Sequence, residues 1–65
     1  MELKDRLYRI LLKEPMDIID LAQKIGVNYQ MLAKVMKHDT KWPMRFLTKL
    51  KIEAWIQQKE KELGL

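Results

Sequence analysis

Three side chains in the segment 28–37 have a spacing that would let them act together on one ligand. Gln30, Lys34 and Lys37 are four and three residues apart, and at about 100° per residue they would share one face of a helix, opposite Leu32. A carboxamide and two ammonium groups form hydrogen bonds and carry positive charge, but none of them is an activated nucleophile. The segment therefore indicates recognition through binding energy, not catalysis.

Catalytic and metal chemistry finds no support elsewhere in the sequence. There is one histidine, His38, and no cysteine, so neither a zinc site nor a conventional catalytic triad can be assembled. The sequence also lacks a nucleophile elbow and a glycine-rich phosphate loop. The nine acids are scattered among basic residues: Glu2, Asp5, Glu14, Asp17, Asp20, Asp39, Glu53, Glu60 and Glu62. We expect a protein that is not an enzyme and that uses no metal, cofactor or small-molecule ligand.

The charge of the chain suits a polyanionic partner. Thirteen Lys and Arg against nine acids give a net charge of +4, which favours nucleic acid among the candidate ligands. No apolar run reaches the roughly 20 residues that cross a bilayer, and the charged amino terminus lacks the apolar stretch of a secretory signal. We expect a cytoplasmic, nucleoid-associated protein with no membrane partner.

The apolar pattern predicts four helices within one domain over residues 1–65. Pro15 ends the first helix, and Gly26 ends the second by adopting the left-handed conformation. Asp17 and Asn28 are suited to cap the second and third helices. The predicted helices cover residues 3–13, about 16–25, 28–37 and about 43–63.

The two central helices are joined by residue types that suit a tight helical corner. Ala22 offers a small side chain where the helices approach each other, and Gly26 tolerates a positive φ at the turn. The branched residues that follow would anchor the third helix onto the second: Val27, Leu32 and Val35.

With Ile18 opening the unit, these positions have the offsets of a known motif. The segment 17–37 resembles the helix-turn-helix of phage repressor and Cro-like regulators, and the resemblance covers about a third of the chain. It implies that the chain binds double-stranded DNA, with the helix 28–37 in the major groove. The alternative is a purely structural helical corner, since unrelated proteins use Ala and Gly in the same way.

If the unit binds DNA, Gln30 can form bidentate hydrogen bonds with adenine, and Lys34 can reach guanine or phosphate. The predicted base-contacting residues are Tyr29, Gln30, Ala33, Lys34 and Lys37. The predicted phosphate-contacting residues are Asn28, Lys41, Arg45, Lys49 and Lys51. The alternatives are structural: a cap for Asn28, a seal on the core edge for Tyr29, and solubility for the lysines.

Residues 42–65 fit two predictions, of which the first is one continuous helix that starts at Pro43. This helix is apolar on two opposite faces, and both cannot be buried against a three-helix core. One face is the phenylalanine stripe, formed by Phe46, Leu47, Leu50 and Ala54. The other is the tryptophan stripe, formed by Ile52, Trp55, Ile56 and Leu63. We expect the tryptophan stripe to be exposed as a partner site, with a symmetric homodimer forming through Trp55.

The second prediction breaks the chain at Thr48, which would cap a separate last helix. A minimal wing would then lie within residues 42–51, and Ile52, Trp55 and Ile56 would fold into the core. Trp42-Pro43 and Ile52-Glu53-Ala54-Trp55-Ile56 resemble the ending of excisionase-type small regulators, whose wing is longer and contains a glycine. We favour the all-α fold, with a short winged helix-turn-helix as the alternative.

Two functions follow as predictions. The first is a sequence-specific DNA-binding regulator of a phage, plasmid or other mobile element, acting as a transcriptional repressor or as a recombination and excision factor. The second is a protein-interaction module, such as an antirepressor or assembly factor, that uses the surface of Ile52, Trp55 and Ile56.

Overall fold

The computed structural model describes residues 3–37 and 45–65, and all regular structure within these two ranges is helical. The four helices are α1 (Leu3–Lys13), α2 (Ile18–Ile25), α3 (Tyr29–Lys37) and α4 (Phe46–Leu63). The predicted all-α fold with four helices is confirmed, and α1 has the predicted bounds.

The hydrophobic core lies where the helices meet. α1 packs against α4 and α2 packs against α3, with a smaller contact between α2 and α4. Within the described ranges no polar or charged residue is buried, so burial of apolar surface is the main stabilising term. The core cluster consists of Leu3, Leu7, Ile10, Leu21, Ala22, Ile25, Leu32, Ile52 and Ile56.

The corner between α2 and α3 is closed by Gly26 in the left-handed conformation. Its φ is 86° and its ψ is 36°, a region that side chains with a Cβ disfavour. The carbonyl of Ala22 accepts hydrogen bonds from the backbone N–H of both Gly26 (2.8 Å) and Val27 (3.0 Å). The predicted turn at Gly26 is confirmed, and Ala22 is buried beside it with 2% exposure.

The first turns of α2 and α3 are capped differently. Asn28 is an N-cap as predicted, because its Oδ1 accepts the backbone N–H of Gln30 at 2.7 Å. Asp17 occupies the N-cap position of α2, and its backbone carbonyl accepts the N–H of Leu21 at 2.9 Å. Its side chain makes no capping hydrogen bond, so only the position of that cap was predicted correctly.

α4 is one continuous helix, so the predicted break at Thr48 is wrong. The backbone N–H of Lys49 donates to the carbonyl of Arg45 at 3.0 Å, which carries the helical hydrogen bonds past Thr48. Residues 46–51 are therefore helical and do not form part of a wing, whereas Trp42 and Pro43 lie outside the described residues. In the described ranges no helix is long and apolar enough to cross a membrane.

For a continuous α4 we expected the tryptophan stripe to be exposed, and the structure shows the reverse. Ile52 and Ile56 are fully buried, with 0% exposure, and Trp55 and Leu63 pack against the core from its edge. The tryptophan stripe therefore belongs to the core and its edge within a single chain, and the expectation that it is exposed is wrong. Burial of this stripe is what the second prediction expected, although without the helix break that it assumed.

The phenylalanine stripe faces outward instead. Phe46 and Leu47 are each 72% exposed and Leu50 is 43% exposed, and Ala54 is exposed as well. Phe46, Leu47 and Leu50 are large apolar side chains that the fold of the described residues leaves exposed.

Two ion pairs join α4 to α1 and to the residue that follows α1, at the edge of the core. Arg6 donates to Glu60 through two nitrogens, at 3.1 Å and 2.6 Å, and Lys59 Nζ donates to Glu14 at 2.9 Å. Lys59 and Glu60 follow Ile56 by three and four residues, so both lie on the same face of α4 as the tryptophan stripe. The ion pairs are therefore compatible with burial of that stripe against the core.

These ion pairs also shift the titration of their members. Hydrogen bonds from Arg6 hold the pKa of Glu60 below its ordinary value, and the bond to Glu60 raises the pKa of Arg6. In the same way, Lys59 lowers the pKa of Glu14 and its own pKa is raised. In both pairs the charged forms are the ones that the fold favours.

Candidate functional site

α3 presents a polar face to solvent and an apolar face to the core. Gln30, Lys34 and Lys37 are all exposed, whereas Leu32 is 0% and Val35 is 6% exposed. This is the arrangement that the spacing of these residues predicted. The three polar side chains are thus exposed from the first turn of the helix to its last residue.

The other two predicted base-contacting residues flank this polar face. Tyr29 is 47% exposed at the first position of α3, so it does not seal the core. Ala33 is half-buried, and its small side chain would let a ligand approach the helix backbone closely.

The two polar groups of the Asn28 side chain can serve different purposes, Oδ1 in the fold and Nδ2 in a ligand contact. The capping bond uses the carbonyl oxygen Oδ1, and the residue as a whole is exposed. The amide Nδ2 group of the same side chain is a donor with two hydrogens. Capping is therefore compatible with a contact between Nδ2 and an anionic ligand.

Tyr8 holds the carboxyl end of α3, a role that the sequence analysis missed. Its Oη donates a hydrogen bond to the backbone carbonyl of Met36 at 3.4 Å, across 28 positions of sequence. The ring is 49% exposed, so Tyr8 also adds aromatic surface beside the last turn of α3. No local pattern indicates this pair, because Tyr8 stands on the outward side of α1.

A groove of about 470 Å³ separates the start of α3 from the start of α4, and we call it the α3–α4 groove. Its α4 wall contains Arg45, Leu47, Thr48, Leu50 and Lys51, and its other wall contains Gly26, Val27, Asn28 and Met31. Met31 therefore lines this groove, whereas Met36 packs against the core.

The α3–α4 groove brings together three of the five residues predicted to contact phosphate. Asn28, Arg45 and Lys51 all line it. Lys49 is exposed on α4 outside the groove lining, and Lys41 lies outside the described residues. Sequence spacing alone did not predict that Asn28 would share a groove with residues 45 and 51.

The segments that form α3 and the first turns of α4 are basic. Segments 26–37 and 45–52 contain five basic residues and no acid. The amino-terminal ends of α3 and α4 both border the groove. The partial positive charge at each end adds to the charge of the basic side chains. The basic residues are Lys34, Lys37, Arg45, Lys49 and Lys51. The combined surface of α3 and the groove is therefore suited to a polyanion.

A metal ion has no evident place in the described part of the chain, where no group of three His, Asp or Glu side chains is arranged to hold one. The chemistry that the site offers is hydrogen bonding, positive charge and apolar contact.

No protein-family model, curated protein or solved structure matches the chain. The resemblances to repressor-like and excisionase-type regulators thus have only the residues of this chain to support them.

Proposed function

We propose that this chain binds double-stranded DNA in a sequence-specific manner, with α3 in the major groove. The observation that carries the proposal is the set of amide and basic side chains on α3 and in the α3–α4 groove. α3 exposes Gln30, Lys34 and Lys37, and the groove at its first turn is lined by Asn28, Arg45 and Lys51. A reading helix flanked by phosphate-binding residues is the arrangement that major-groove recognition requires.

The division of labour follows from side-chain chemistry. Asn28, Arg45, Lys49 and Lys51 would hold phosphates and fix the position of α3. Gln30 and Lys34 would then read base edges, with Gln30 suited to adenine and Lys34 to guanine. Tyr29, Ala33 and Lys37 would add contacts at the edges of the same face.

We further propose that the chain serves as a transcriptional regulator or as a recombination and excision factor of a phage, plasmid or other mobile element. Association with the nucleoid would follow from DNA binding. The homodimer through Trp55 is not part of the proposal, because the tryptophan stripe is in the core. One chain presents one α3, and we expect a half-site of a few base pairs.

The proposal is tested by selection from a pool of randomised duplexes, followed by fluorescence anisotropy with the enriched sequence. We expect Gln30→Ala and Lys34→Ala each to weaken binding by about 1–3 kcal/mol and Gln30→Ala to relax the preference at one base pair. Gln58→Ala and Lys61→Ala are matched controls, since both residues are exposed near the far end of α4.

Three results would count against DNA recognition by α3. The first is a selection that enriches no sequence. The second is equal binding by the α3 variants and their controls. The third is an affinity that does not fall with added salt, since phosphate contacts release counterions.

A protein-interaction function is the second candidate, and the exposed phenylalanine stripe favours it. In the surface first expected to serve this function, Ile52 and Ile56 are buried and Trp55 is partly buried. Any protein partner must therefore use a different face.

A further inference from the structure

The phenylalanine stripe is apolar surface that DNA binding does not explain. Leu47 and Leu50 line the α3–α4 groove, and Phe46 and Leu47 are each 72% exposed. Phosphate and base-edge contacts need hydrogen-bond donors and positive charge, and three large apolar side chains supply neither. A clustered apolar surface of this kind marks a binding site for another apolar surface.

The wall opposite α4 also has apolar residues. Val27 and Met31 line it together with Gly26, which has no side chain. The position where a Cβ of Gly26 would stand has no other atom within 4 Å. Apolar side chains of a ligand therefore have both room and contact partners there.

The basic residues around the groove favour an occupant that carries negative charge. Arg45 and Lys51 line the groove, Lys49 is exposed nearby on α4, and residues 45–52 include no acid. An occupant with carboxylates around an apolar stripe would complement both features.

Other occupants fit less well. A second copy that used the same face would bring two sets of Arg45, Lys49 and Lys51 together, which like-charge repulsion opposes. An anionic membrane surface matches the charges, but it is flat and leaves a concave groove unfilled. DNA complements the basic residues of the groove but not its apolar lining.

We propose that the α3–α4 groove binds an acidic amphipathic helix of another protein. The apolar side chains of that helix would contact Leu47, Leu50 and Met31. Its carboxylates would pair with Arg45, Lys49 and Lys51, in the mode by which a helix lies in an apolar groove.

Such a partner would compete with DNA, a consequence that rests on the proposed function. Arg45 and Lys51 would serve phosphates in one complex and carboxylates in the other. Both complexes cannot use these side chains at once, so the partner would act as an inhibitor of DNA binding.

The test uses a synthetic probe against the full chain, without DNA. The probe is a labelled peptide of about 18 residues made of Leu, Ala and Glu, with leucines spaced three and four residues apart so that they share one helix face. A peptide with every Glu replaced by Lys is its control. We expect the Glu peptide to bind at least about tenfold more tightly than the Lys peptide, measured by fluorescence anisotropy.

Matched variants of the chain locate the binding site. Leu47→Asp and Lys51→Glu should each weaken Glu-peptide binding by about tenfold or more, since each removes a groove contact and opposes the peptide charge. Leu12→Asp and Lys61→Glu are the controls, because Leu12 is 83% exposed on α1 and Lys61 is exposed near the end of α4. Circular dichroism checks that all four variants fold.

The proposal is overturned if both peptides bind equally, or if Leu47→Asp binds the Glu peptide like wild type. It is also overturned if Leu47→Asp abolishes only self-association in sedimentation, or only binding to phosphatidylserine vesicles. Displacement of labelled DNA by the Glu peptide then tests the competition. Because the peptide assay contains no DNA, failure of peptide docking and failure of DNA binding are seen separately.

Discussion

At the scale of single residues, Asn28 contributes both to the stability of α3 and to the candidate binding site. Its Oδ1 caps α3 through the N–H of Gln30, and its side chain lines the groove with Arg45 and Lys51. Substitutions that keep the oxygen but change the rest of the group can therefore separate the two roles.

We predict that Asn28→Asp leaves stability within about 0.5 kcal/mol of wild type, because aspartate caps as well as asparagine. It should nevertheless weaken DNA binding by about tenfold or more, since it removes the Nδ2 donor and adds negative charge beside a phosphate. Asn28→Ala should lose about 1 kcal/mol of stability with the cap. Urea denaturation and anisotropy measure the two quantities. Equal DNA affinity of wild type and Asn28→Asp would make Asn28 a cap only.

Gly26 is the other residue on which the site depends. We predict that Gly26→Ala destabilises the chain by about 1–2 kcal/mol, because L residues with a Cβ are strained at positive φ. Gly26→Asn should cost less, since asparagine tolerates the left-handed region. A Cβ at this position meets no neighbouring atom, so the loss reports the backbone alone. Urea denaturation of the three proteins gives the order, and an alanine variant as stable as wild type would contradict it.

At the scale of elements, local signals predicted the helices well. The apolar spacing of α1, Pro15 after it, and Gly26 between α2 and α3 all act on residues close in sequence. The face of α4 was mispredicted, because both of its stripes are apolar and nothing local distinguishes them. One contact on the buried side of α4, Arg6 with Glu60, joins positions 54 residues apart, and a single sequence holds no record of such a contact.

The same limit applies to the candidate site. The exposed face of α3 follows from helical spacing once Leu32 faces inward. The α3–α4 groove depends on how α4 lies beside the corner at Gly26, so no spacing rule could place Asn28 with Arg45.

The rotation of α4 leads to a prediction about its stability. Ile56→Val should cost about 0.5–1.5 kcal/mol, since it removes a methylene group from a fully buried position. Leu47→Ala should change stability by less than about 0.5 kcal/mol, although it removes more atoms, because Leu47 is mostly exposed. Chemical denaturation checks both variants. The reverse order would mean that α4 presents its phenylalanine stripe to the core.

At the scale of the whole molecule, a chain of 65 residues has a small core and a narrow margin of stability. The two ion pairs join the first and last helices at the edge of that core. Arg6 and Glu60 have side chains that are only 23% and 19% exposed, and the bidentate geometry is of the kind that contributes most among surface pairs.

The depressed pKa values of Glu60 and Glu14 make this link sensitive to acid. A carboxyl group with a lower pKa in the folded state stabilises the fold fully above its unfolded pKa, about 4.5, and loses that contribution as the pH falls through the folded value. The free energy of unfolding should therefore fall from about pH 5 downward.

At pH 7, Glu60→Gln should be less stable than wild type by about 1 kcal/mol or less. The two should converge at low pH, once the pH has fallen through the folded-state pKa of Glu60 and the wild-type carboxyl group is protonated as well. A double-mutant cycle with Arg6→Gln, measured by urea denaturation at both pH values, isolates the pair. A coupling free energy that is the same at neutral and acid pH would show that the charge on Glu60 does not hold α4 against α1.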